Sequence, residues 1–261
     1  MDGLLIDSEE MVGRSINEVL KRYDRPPLTP SIRAKLIGIP DSSNSDMFHD
    51  WAQLPISRDQ WAKESAAQMA LNFTKSRPLP GAQGLLSKLS RSYCASTGDR
   101  VELALASSSP THYYKLKMTV PETKRLMDSF SESRKILGDD PRVPRGRGKP
   151  APDIYLAALQ ALNSTLAPGK PPILASECLA FEDSVAGVES ARRAGMRVVW
   201  VPHELVADRY RGREGDMVAG RSGAFDAEDE RQLGKVPGGM GEMLRTLEDF
   251  DCKKYGIEVA E

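Results

Sequence analysis

From Ser8 to about Phe73 the apolar residues recur at helical spacing, first as Val12, Ile16, Val19 and Tyr23 and later as Trp61, Met69 and Phe73. No stretch of this region alternates with a period of two, so helices without strands are predicted. After Pro78-Leu79-Pro80-Gly81 the pattern changes to short apolar runs separated by helical segments: Val101 to Ala106, Ile136-Leu137, Cys178 to Phe181 and Arg197 to Val201. Such alternation predicts a parallel sheet covered by helices on both faces. The chain therefore reads as an α/β protein, with a Rossmann-like core over residues 1–7 and 78–261 and an inserted helical domain over 8–77. The glycine-rich, charged stretch from Tyr210 to Gly241 has weak periodicity and is predicted to be a surface excursion.

The chain has 261 residues and 40% hydrophobic content, enough to bury a substantial core. A net charge of −1 gives no general electrostatic affinity for nucleic acid or membrane, and no apolar run is long enough to span a bilayer. Arg142, Arg145, Arg147 and Lys149 form a small basic run, but Asp139 and Asp140 sit beside it, so a solvated loop is expected. Cys94, Cys178 and Cys252 are isolated, as in a reduced cytoplasmic protein, and the three histidines are scattered. This spacing argues against a His-based metal site or a Ser-His-Asp triad. The expected partner is a small molecule, and the expected oligomeric state is a monomer.

Four places on this framework carry candidate chemistry. Asp2-Gly3 is a turn that presents a carboxylate, although both residue types favour turns for their own sake. In Leu105-Ala106-Ser107-Ser108-Ser109 a strand runs out into hydroxyls and backbone donors, which suits Ser107 and Ser108 to phosphate oxygens, because ligands sit at the carboxyl ends of parallel strands. The plain alternative for Ser107 is a helix cap. In Gly148-Lys149-Pro150-Ala151-Pro152-Asp153 two prolines fix the loop around Lys149, whose ammonium can offset concentrated negative charge. Pro150 stands where a nucleotide-binding P-loop needs Ser or Thr. In Phe181-Glu182-Asp183-Ser184-Val185-Ala186-Gly187 a strand delivers two acidic residues to its end. Asp183 suits a hard divalent cation, with Glu182 orienting it from behind; helix capping is the alternative.

In this order the four motifs, with Gly138-Asp139-Asp140-Pro141, resemble the haloacid dehalogenase superfamily, in the phosphatase branch that contains pseudouridine-5′-phosphatase. The resemblance covers Asp2 to about His203. It implies that Asp2 is the acid/base aspartate, whose backbone carbonyl also ligates Mg²⁺, that Ser107 and Lys149 bind phosphate, and that Asp183 is a metal ligand. It also implies that the helical insert is a mobile cap, with Gly38 in the loop where this branch places specificity contacts.

The superfamily's active-site turn reads Asp-x-Asp-Gly, and here Met1 occupies the middle position. The expectation is that the first strand is truncated, that the nucleophilic aspartate belongs directly upstream, and that a chain beginning at Met1 is inactive or nearly so. The implied reaction is Mg²⁺-dependent hydrolysis of a small phosphomonoester through an aspartyl-phosphate. A nucleoside monophosphate such as pseudouridine 5′-phosphate, or a sugar phosphate, is the implied substrate. A phosphosugar mutase and a non-catalytic metabolite-binding relative are the alternatives.

Overall fold

The computed structural model describes residues 1–39, 42–225 and 241–260. Helices α1 (Ser8–Arg22), α2 (Pro30–Leu36), α3 (Asp46–Ala52) and α4 (Arg58–Phe73) follow one another, as the apolar spacing predicts. Their ends are chemically marked. Glu9 and Glu10 occupy the first turn of α1 and Lys21 and Arg22 its last, which complements the helix dipole. Ser45 and Ser57 cap α3 and α4 by accepting from Phe48 N and Gln60 N. The inward faces meet in a cluster of their own, built from Ile16, Val19, Leu20, Leu36, Phe48, Ala52 and Trp61. Phe48 and Trp61 are fully buried, with ring centroids 4.7 Å apart.

The remaining elements are α5 (Ala82–Leu89), β1 (Ser92–Cys94), β2 (Leu105–Ala106), α6 (Thr111–Lys117), α7 (Pro121–Met127), β3 (Lys135–Ile136), α8 (Asp153–Ser164), β4 (Leu179–Glu182), α9 (Val185–Arg193), β5 (Arg197–Trp200), α10 (Glu204–Arg209), α11 (Glu214–Val218), β6 (Gly241–Met243) and β7 (Ile257–Val259). β5 lies between β4 and β6, parallel to both, with Ala180 opposite Val198 and Glu182 opposite Trp200. Its side chains alternate between two cores. Val198 and Trp200 pack with Ile154, Ala158 and Val188 of α8 and α9, whereas Val199 and Val201 pack with Leu85, Leu86, Leu126 and Met127 of α5 and α7. Helices therefore cover both faces, which makes this an α/β core of the Rossmann kind beside a helical bundle.

Two details differ from the pattern-based expectation. The parallel sheet is not continuous among the described residues: β2 pairs only with β3, and no strand joins that pair to the β4-β5-β6 sheet. Residues 1–6 pack in the same apolar cluster as Leu105 and Val199, but they close a tight turn, with Leu5 N donating to Met1 O and Gly3 N to Ile6 O, instead of extending. Strand pairing depends on partners distant in sequence, so local pattern does not reveal such a break. The second difference lies in the stretch read as a surface excursion. Its first part forms α11, which buries Met217 and Val218, and Ser222 hydrogen-bonds the buried Glu189. A five-residue helix offers too few apolar positions to show a period. Residues 226–240 of that stretch lie outside the described residues.

The chain enters and leaves the helical bundle at one place. Asp7 N donates to Arg77 O at 3.0 Å, Arg77 N donates to Asp7 Oδ1 at 2.6 Å, and Leu79 N donates to Leu5 O at 2.9 Å. The bundle also rests on the core through α2 against α10 and through Phe73 against Tyr113 of α6.

Candidate active site

Asp2, Ser107, Lys149 and Asp183, which come from four distant stretches of chain, converge at the ends of β2 and β4. Gly3 shapes the first of these stretches. Its φ of +65° is a conformation that L side chains rarely adopt, and an added Cβ would collide with the Asp183 carboxylate. The turn thus brings the Asp2 backbone beside Asp183. Ser107 is buried at the end of β2, and its hydroxyl donates to Asp2 Oδ2 at 3.4 Å while accepting from Ser109 N at 3.2 Å. It is not a helix cap, because Thr111 N at the start of α6 is taken by Asp139 Oδ1. Ser108 is not drawn into this network; its backbone carbonyl packs against Gly138.

Lys149 is far from being part of a solvated basic run. Its side chain is 8% exposed and ion-pairs with Glu182, while Arg142 and Arg147 pair with Asp140 and Asp153 at the surface. Glu182 also accepts from the buried Tyr155 hydroxyl. Burial works to raise the Glu182 pKa, but the Lys149 ammonium outweighs it and holds the carboxyl below its ordinary value. Asp183 has no such partner. Burial, followed by the charge of Glu182, pushes its pKa well above the ordinary value. The helix cap at this point is Ser184, whose hydroxyl accepts from Gly187 N at 3.1 Å, so Asp183 is left for other chemistry. Gly38 seats the bundle on this motif: with φ +74° it packs against Ser184 so closely that a Cβ would clash.

Residues 1–201 match the haloacid dehalogenase-like hydrolase family. The chain belongs to that family. A probable pseudouridine-5′-phosphatase of Saccharomyces cerevisiae is 33% identical over 258 residues, which cover 98% of this chain and 94% of the relative. An uncharacterized protein of Schizosaccharomyces pombe is 34% identical over 256 residues, 98% of this chain and 91% of that protein. Among solved structures, a family IA, variant 3 hydrolase of Entamoeba histolytica superposes with a TM-score of 0.65 at 20% identity, covering 98% of this chain and 95% of that one, which shows the shared fold. By this resemblance the chain is a phosphatase of the haloacid dehalogenase-like hydrolases.

Sequence reasoning missed two residues of this candidate site. Lys117, at the end of α6, is 2% exposed; its ammonium lies 2.5 Å from Asp2 Oδ1 and 2.9 Å from Ser109 Oγ, and 4.3 Å from the ring centroid of Phe73 in the bundle. Burial opposes ionisation of Asp2, yet Lys117 more than compensates and leaves its pKa below the usual carboxylate range. Glu9 packs beside Gly3, where burial and then the Asp2 charge raise its pKa to about 7. Neither residue has a sequence signal. A lysine next to Lys115 on a short helix looks like surface, and an acid in the first turn of α1 looks like a dipole partner.

The donor set suits a hard cation. Asp2, Glu9, Glu182 and Asp183 bring four carboxyl groups together, and at Asp183 burial and the Glu182 charge outweigh the nearby amino terminus and Lys149, so that its pKa stays high. Among the described residues no three His, Cys, Asp or Glu side chains cluster as a metal cage.

Proposed function

We propose that this site hydrolyses a small phosphomonoester, with Asp2 as acid/base, Ser107 and Lys149 holding phosphate oxygens, and Mg²⁺ held by the Asp183 carboxylate and the Asp2 backbone carbonyl. The observation that carries the reading is the convergence of these four residues, Ser107 and Asp183 buried and Lys149 with a side chain 8% exposed, at the carboxyl ends of parallel strands. An Mg²⁺ ion held there would supply positive charge to offset that of the phosphate oxygens.

The protein groups divide the work. With its pKa held down by Lys117, Asp2 is ready as the base that takes a proton from water. A phosphate dianion arriving beside it raises its pKa again, which favours the protonated form needed to hand a proton to the leaving oxygen. The Lys149–Glu182–Tyr155 network fixes the ammonium that faces the phosphate, and Phe73 together with the Gly38 loop covers the site from the bundle side. The Asp-x-Asp-Gly turn of the family puts the nucleophile of the proposed aspartyl-phosphate two positions before its acid/base aspartate, the place that Asp2 takes here. The name of the S. cerevisiae relative favours pseudouridine 5′-phosphate as substrate, with other nucleoside monophosphates and sugar phosphates next.

The test compares residues 1–261 with the same chain preceded by an apolar strand ending in Asp, assaying phosphate release with Mg²⁺ from pseudouridine 5′-phosphate and a panel of sugar phosphates. Release is expected only from the extended chain, and Asp2→Asn is expected to abolish it. Turnover by residues 1–261 that disappears with Asp2→Asn would overturn the proposed nucleophile. Recovery of an isomerised sugar phosphate in place of free phosphate would establish a mutase.

A further inference from the structure

The exposed face of α1 that turns away from the helical core lines a half-open cavity of about 510 Å³, bounded also by Arg25, Pro27, Leu28 and by Arg33 of α2. Its lining carries four cations, Arg14, Lys21, Arg25 and Arg33, and two acids, Glu10 and Glu18. Glu10 is already engaged by Arg33. Arg14 and Lys21 form no ion pair among the described residues, and the Nε–H groups of Arg25 and Arg33 have no acceptor. The wall is held in place. Leu28 N donates to Asn17 Oδ1 at 2.8 Å, Arg25 N donates to Leu20 O at 3.0 Å, and the Arg25 guanidinium donates to Gln53 O. Pro26 and Pro27 stiffen the segment between these anchors. Gly13, in the interior of α1 where glycine is a poor choice, leaves space for the Arg33 side chain, whose Nε would lie 3.4 Å from an added Cβ.

We propose that this cavity is a second binding site, for a small anion carrying phosphate or diphosphate groups, separate from the phosphoryl-transfer centre. The volume falls in the range of small-molecule sites, the surplus of cations over acids selects a polyanion, and guanidinium groups suit phosphate geometry. Separation follows from helix geometry: Arg14 lies about 9 Å and Lys21 about 20 Å along α1 from Ser8, at a rise of 1.5 Å per residue. A small phosphomonoester engaged at Asp2 does not reach the far end of the cavity. The inference does not depend on the catalytic reading of Asp2.

Pyrophosphate is the probe, titrated at low ionic strength into residues 1–261 by calorimetry, with amide chemical shifts followed in parallel. Binding is expected to perturb residues 13–28 and 33, and to weaken at least tenfold in an Arg14→Ser, Lys21→Ser double variant, both sites being exposed so that folding is preserved. Ser107→Ala is expected to leave this binding unchanged. Absence of pyrophosphate binding, equal affinity in the double variant, or loss of binding in Ser107→Ala alone would each overturn the proposal. Failure of the phosphatase assay leaves all three readings intact.

Discussion

Asp2 and Lys117 face each other as a carboxylate and a buried ammonium, and each needs the other. Lys117→Met leaves the carboxylate without its main partner in a largely desolvated position. Because the Asp2 side chain is 25% exposed, the expected cost is about 2 kcal/mol at neutral pH, below the range for fully buried pairs. Urea unfolding at pH 7 measures it, and a loss under about 0.5 kcal/mol would show that the pair contributes little. Glu9 gives a pH signature. Its folded pKa of about 7 lies above the ordinary 4.5, so between those values the unfolded chain loses a proton that the folded chain retains. Stability therefore falls as pH rises through this window, by at most about 3 kcal/mol from this group. Glu9→Gln is expected to flatten that part of the metal-free stability profile; identical profiles would remove Glu9 as its source. Asp183→Asn deletes the proposed anionic ligand, and Mg²⁺ affinity measured by calorimetry is expected to drop more than tenfold.

At the scale of elements, the bundle of α1 to α4 has its own core, with Trp61 at its centre. Trp61→Ala is expected to cost about 3–5 kcal/mol, because the indole is fully buried and the cavity left behind cannot be refilled locally. Hydrogen exchange should show lost protection in α1 and α4 with β4 and β5 unchanged, and loss throughout would mean that bundle and sheet unfold as one. This element structure was largely readable from sequence, because helical spacing in 8–73 and the short apolar runs near 105, 136, 179 and 198 are local properties. The placement of the candidate residues was readable for the same reason, since Ser107 and Asp183 follow short apolar runs and Lys149 stands in the loop that Pro150 and Pro152 fix. Contacts made across long sequence separations were hidden. Lys117 reaches Asp2 over 115 residues, and the break between β2 and β4 is a property of pairing rather than of either strand. The short α11 was missed because two buried apolar residues do not make a period.

For the whole molecule, the telling feature is that the segments entering and leaving the helical bundle are hydrogen-bonded to each other at Asp7 and Arg77. The 69 residues between them begin and end at nearly the same point, as one long excursion from the core. An excursion of that kind is interchangeable. A different set of helices with the same closely spaced ends can be spliced in without altering the connectivity of the sheet. Under the proposed reading of the bundle as a substrate covering, new coverings are thereby open to trial by recombination, while the carboxylates, lysines and hydroxyls beneath stay where the strands put them.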